Sequence, residues 1–90
     1  MAAVQVELGV RIEQDPDWHS GWPYVAGTRK TVAAVAILYS QGLNVEAVAA
    51  EKSMTLPQVL AALAYYFAHR EQIDAQIDEA EALYDKLAAA

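Results

Sequence analysis

Val4, Val6, Leu8, Val10 and Ile12 alternate with Gln5, Glu7, Gly9, Arg11 and Glu13. Successive side chains of a strand point to opposite faces, so this period of two predicts a half-buried strand over residues 4–13. Gly9 in its middle marks a candidate bulge. The alternation then stops. Asp15-Pro16, Ser20-Gly21, Pro23 and Gly27 punctuate a turn-rich loop over residues 15–29, with Tyr24 and Val25 placed for a short second strand. A short partner cannot pair a ten-residue strand, so the free edge asks for another chain.

From Thr31 the period becomes helical. Thr31 is a candidate N-cap and Gly42 sits where a glycine closes a helix; the segment between them is apolar on most sides and expected to be buried. Asn44 caps a second, short helix from Val45 to about Glu51, with Leu43 and Val48 placed as a hydrophobic staple. The strongest start signal is Thr55-Leu56-Pro57-Gln58, a capping box flanked by the staple pair Met54 and Val59. Pro57 falls in the first turn, where its missing N–H costs nothing.

No breaker follows, so the pattern predicts one helix from Leu56 to about Leu87. Val59, Leu63, Tyr66, Arg70, Ile73, Ile77, Ala80, Tyr84 and Leu87 fall on it at spacings of four and three, a heptad-like seam interrupted by Arg70. The preceding helices cover its first half. Nothing further along the chain is left to cover Ile73, Ile77, Tyr84 and Leu87, which are therefore expected to bind a partner, either another protein or a second copy.

The charge sharpens that division. Residues 1–70 carry five basic and six acidic side chains, whereas residues 71–90 set six acids against Lys86. The net charge of −6 is thus concentrated in the tail, and it opposes autonomous binding to nucleic acid. An acidic tail suits a basic protein or is simply a solvated helix face. The chain has no cysteine, which excludes disulfides and thiol chemistry and fits a reducing compartment. The N-terminus lacks a signal-peptide pattern, and the uncharged stretch over 31–45 is too short to span a bilayer. The expectation is a cytoplasmic protein with no membrane partner.

Two short helices followed by a longer one resemble a helix-turn-helix, in which the start of the later helix faces the major groove. Thr55 and Gln58 then face bases, and Gln58 is suited to adenine. Arg29, Lys30 and Lys52 are the candidate phosphate contacts. The same pattern also fits a trihelical core with no nucleic-acid role. His19 and His69 have no metal-ligand spacing, and no nucleophile elbow, phosphate loop or paired-carboxylate site is present. An enzyme is not expected, nor a cofactor or a metal.

Asp15-Pro16, Gly21-x-Pro23 and Gly27-Thr28-Arg29, with Gly42 before a short helix and the run from Met54 to His69-Arg70-Glu71, together resemble the domain of unknown function 433 family over about residues 12–77. The resemblance implies a winged-helix or helix-turn-helix-like core. It further implies an antitoxin-like role beside a PIN-like ribonuclease toxin, in which the core dimerises and binds operator DNA and the C-terminal segment binds the toxin. Lys30 departs from the aliphatic residue usual after Gly-Thr-Arg. Read from the residues themselves, Gly27 ends the loop at positive φ and Thr28 caps locally, while Arg29 either clamps Asp15 or Asp17 or binds a phosphate.

The expected architecture is a mainly α single domain over residues 1–90. A strand arm or small hairpin (1–14) and a turn-rich loop (15–30) lead into a trihelical helix-turn-helix-like core (31–70) and an acidic helical tail (71–90). The expected function is an antitoxin-like DNA-binding regulator that neutralises a PIN-like ribonuclease toxin. The alternative is a homo-oligomeric interaction module with no nucleic-acid role.

Overall fold

The computed structural model describes residues 9–89. Two short strands, β1 (Ile12–Glu13) and β2 (Tyr24–Val25), precede four helices: α1 (Val32–Ser40), α2 (Val45–Lys52), α3 (Leu56–Ala68) and α4 (Arg70–Ala88). The chain is mainly helical with a small N-terminal hairpin, as the change of period at Thr31 predicts.

The strand expected over 4–13 is ladder-paired only at Ile12 and Glu13, opposite Val25 and Tyr24 in antiparallel register. Residues 4–8 of that expectation lie outside the described residues. β2 is short because the chain turns at Gly27, with φ 81°, and comes back as Thr31 bridges to Tyr24. The Val32 N–H donates to the Pro23 carbonyl at 2.9 Å, which seats the hairpin on the start of α1.

Each of the first three helices starts from a side-chain cap. Thr31, Asn44 and Thr55 accept from the amides of Ala34, Ala47 and Gln58, at 3.1, 2.8 and 3.2 Å. α1 closes at Gly42, where the Leu43 N–H reaches Leu38 and the Gly42 N–H reaches Tyr39, the paired bonds of a Schellman motif. α2 closes the same way, with the Met54 amide bonded to Ala49 and that of Ser53 to Ala50, and it puts Ser53 at φ 54° where glycine is usual.

The core is built from Val25, Val32, Val35, Val48, Val59, Ala62, Leu63, Tyr66 and Ile73. The residues of both staples join the core: Met54, Val59 and Val48 are buried, and Leu43 packs half-buried against it. α1 is apolar all round, and Val32, Ala33, Val35 and Ala36 are all buried.

The expectation of one long helix fails. Leu56 to Leu87 is not one helix: it breaks at His69, with φ −132° and ψ 42°. The cause is tertiary. Bending lets α4 pack on α1 and bury Ile73 completely, with Ile77 against the same core. The Tyr66 hydroxyl donates to Asp74 at 2.8 Å across the bend. In a straight helix the two residues are about 12 Å apart along the axis, and a helical Tyr66 leans toward the N-terminus, away from Asp74, so the straight form disfavours that bond. The seam is real, but its middle belongs to the chain's own core.

Candidate functional site

The α2–turn–α3 unit keeps the connectivity expected of a helix-turn-helix. At its centre the capping box is complete: the Gln58 amide oxygen accepts the Thr55 N–H at 2.9 Å, while the Thr55 hydroxyl accepts the Gln58 N–H. This geometry restricts Gln58. Pairing with adenine needs its amide oxygen and nitrogen together, and the oxygen already satisfies the backbone. Thr55 is exposed, and Lys52 ends α2 half-buried beside it. Past the cap, α3 has no charged side chain; Leu56, Leu60 and Phe67 on its outer side are 43%, 44% and 52% exposed. The edge of the Phe67 ring meets Tyr39 of α1, with centroids 6.0 Å apart. Apolar exposure here favours protein contact over a phosphate backbone.

Arg29 and Lys30 lie outside α3, in the turn after β2. That turn is held by Thr28, whose hydroxyl donates to the Val25 carbonyl at 2.8 Å and accepts the Lys30 N–H at 3.1 Å. Thr28 thus caps locally, as its hydroxyl allows. Arg29 makes no ion pair with Asp15 or Asp17; among the described residues the ion pair present is Arg11 with Glu13, at 3.3 Å. The Arg29 guanidinium instead sits over Trp18, 5.9 Å from the ring centre. Asp15, exposed, accepts the Asp17 amide at 2.9 Å, the role of a turn former.

These residues line an open cleft of about 420 Å³ between Asp15, Trp18, Tyr24, Gly27, Thr28 and Arg29. Trp18 and Tyr24 meet edge to face at 4.8 Å, and the Tyr24 hydroxyl bonds Glu13 at 3.3 Å. Partial burial and the neighbouring Glu13 and Asp15 carboxylates push the Tyr24 hydroxyl above its usual range. Beside the cleft, His19, Ser20 and Gly21 run at φ 49°, 56° and 75°, three successive left-handed residues in one 3₁₀ turn. Such backbone costs about 1–2 kcal/mol at a non-glycine position. The Ser20-Gly21 pair signals a turn in the sequence; nothing there signals its hand.

The expected partner stripe divides. Ile73 is fully buried and closed to another protein, whereas Ile77 packs half-buried against the core and keeps part of its surface exposed. Tyr84 and Leu87 are 73% and 67% exposed, and Leu83 joins them. The molecule measures 59 × 29 × 23 Å, with α4 running clear of the core beyond Ile77. Asp78, Glu79, Glu81 and Asp85 are exposed along that projection.

A family model described as protein of unknown function (DUF433) matches residues 12–66. The chain belongs to the DUF433 family. The DUF433 match runs from β1 into α3, taking in the Gly-Thr-Arg turn, the cleft and the capping box, and it ends before the bend at His69. No curated protein and no solved structure matches the chain. Among the described residues no helix is long and apolar enough to cross a membrane.

Proposed function

We propose that this DUF433 protein is an antitoxin-like regulator of the cytoplasm, a homo-oligomer that pairs with and neutralises a PIN-like ribonuclease toxin. The observation that carries the reading is the division of α4. Its first two turns are anchored through Ile73 and Ile77, and its remainder leaves the core with Leu83, Tyr84 and Leu87 exposed among acids. An amphipathic helix of that kind fits an apolar groove, and its acids favour a basic protein, such as one that handles RNA. Binding to operator DNA is the secondary activity in this reading. Arg29, Lys30 and Lys52 supply phosphate contacts and Thr55 lies at the exposed start of α3, with the net charge of −6 making the contact weak and salt-sensitive.

The test is capture of a co-expressed PIN-like ribonuclease from the neighbouring gene by the full chain and by a chain ending at Asp78. The shorter chain retains Ile73 and Ile77 and should fold. Capture and inhibition by the full chain, both lost in the shorter one, are the expected result. Inhibition that survives the truncation overturns the assignment to the end of α4.

The charge-free outer side of α3 favours a second reading, a homo-oligomeric interaction module without nucleic acid. A gel shift on the chain's own upstream DNA at low salt separates the two. A shift weakened by Lys52→Ala favours the regulator; no shift, with or without the ribonuclease, favours the module.

A further inference from the structure

The bend at His69 is held by tertiary contacts and opposed by local structure. No glycine or proline occurs between Gln58 and Ala89, so the chain has no intrinsic reason to stop at that point. α1, α2 and α3 each begin from a side-chain cap, whereas α4 begins at His69 with none. The first amides of a helix lose their backbone partners, and an uncapped start leaves them to solvent. The His69 ring lies back on Tyr65, with centroids 4.1 Å apart and Nδ1 3.1 Å from the Tyr65 carbonyl. The apolar seam, meanwhile, continues through the break at unchanged spacing.

We infer that the α3–α4 joint straightens and that two copies of this chain exchange α4, each laying Ile73 and Ile77 on the other's α1. This deepens the oligomer part of the reading above and is independent of any toxin. A straight joint restores the backbone bonds that the bend leaves open. Nothing in the core is lost, because the second copy's α4 presents the same side chains to the same α1. The Tyr66–Asp74 bond re-forms between copies: when two antiparallel helices cross near residue 70, Tyr66 of one and Asp74 of the other are equidistant from the crossing. Exchange of an identical element is a low-cost route to a dimer when the hinge favours the open form. The acidic ends of α4 then point in opposite directions, which separates the most negative parts of the two chains.

The experiment uses the full chain, which has no native cysteine. Exposed Leu60 and Tyr84 are changed by Leu60→Cys and Tyr84→Cys, spin-labelled, and diluted into excess unlabelled chain so that only distances within one copy are read. In a straight helix these positions are about 36 Å apart; the bend brings them closer. Light scattering should detect dimer, and the population near about 36 Å should grow with total chain concentration. A second pair, Ala64→Cys with Ala80→Cys, should move in parallel to about 24 Å and guards against a folding defect in the first. Glu71→Pro puts proline at the second position of α4, where α3 already carries Pro57, so it is compatible with the bend and should abolish the long distance. Dimers that show only the short distance overturn the exchange and leave another face as the dimer contact. A chain that stays monomeric at millimolar concentration overturns both the exchange and the oligomer, while ribonuclease capture remains a separate measurement.

Discussion

α3 carries no charged side chain between Leu56 and Ala68, starts from a reciprocal cap and buries Val59, Ala62, Leu63 and Tyr66. α4 carries eight charged side chains between Arg70 and Ala88, starts without a cap and buries Ile73. Both lie on one apolar seam with one spacing. A seam therefore fixes which side of a helix is sticky and leaves open what covers it. For α3 the cover is the rest of the trihelical core, and for the first turns of α4 it is α1. The end of α4 has no cover within the described residues, and that is where the acids gather.

The comparison breaks most readily at Ile73. Ile73→Ala empties a fully buried site and should cost about 2–5 kcal/mol, read as a lowered urea midpoint. A cost as small as that of a surface change would mean that α4 does not pack on α1 in solution.

Next is the bond across the bend. Tyr66→Phe removes a hydrogen bond to a carboxylate and should cost about 1–2 kcal/mol at neutral pH. Bonding to Asp74, with burial adding to it, raises the Tyr66 hydroxyl above its ordinary value of 10.0. The folded state then holds that proton more tightly than the unfolded state. The stabilisation is full below about pH 10 and is lost as pH rises through the folded value. Wild type should therefore lose its advantage over Tyr66→Phe in alkaline denaturation series; an advantage constant with pH would place Tyr66 elsewhere.

Thr55→Ala should cost about 1 kcal/mol, because it leaves an amide of α3 without its acceptor. His69→Ala at the uncapped start of α4 should cost less, since no side-chain cap is lost. Equal costs would erase the contrast between the two starts. Smallest of all, Leu87→Ala should change stability by less than about 0.5 kcal/mol, because the side chain is 67% exposed. In the proposed function the same change weakens ribonuclease capture, so stability and binding should separate at this residue.

Legibility followed the range of the interaction. The caps at Thr31, Asn44 and Thr55, the closing glycine at Gly42 and the burial of the staple residues were all readable, because each is decided within about five residues of chain. The local role of Thr28 was readable for the same reason. The Arg29 clamp was not. Its partner is Trp18, eleven positions earlier, and the left-handed turn at His19–Gly21 helps set where that ring lies. Gln58 was half legible: the capping box and the base contact both compete for one amide oxygen, and the backbone wins it.

The sequence by itself determined where the first three helices begin, which residues line the apolar side, and that the negative charge sits at one end. These follow from hydrogen-bond donors needing nearby acceptors and from the period of each element. Tertiary structure alone decided that the seam would bend at His69 and that Ile73 would be core while Tyr84 and Leu87 stayed in solvent. No residue near 69 forbids a straight helix. The bend exists because burying Ile73 on α1 and bonding Tyr66 to Asp74 outweigh the helix bonds given up, and that balance depends on a helix some thirty residues upstream.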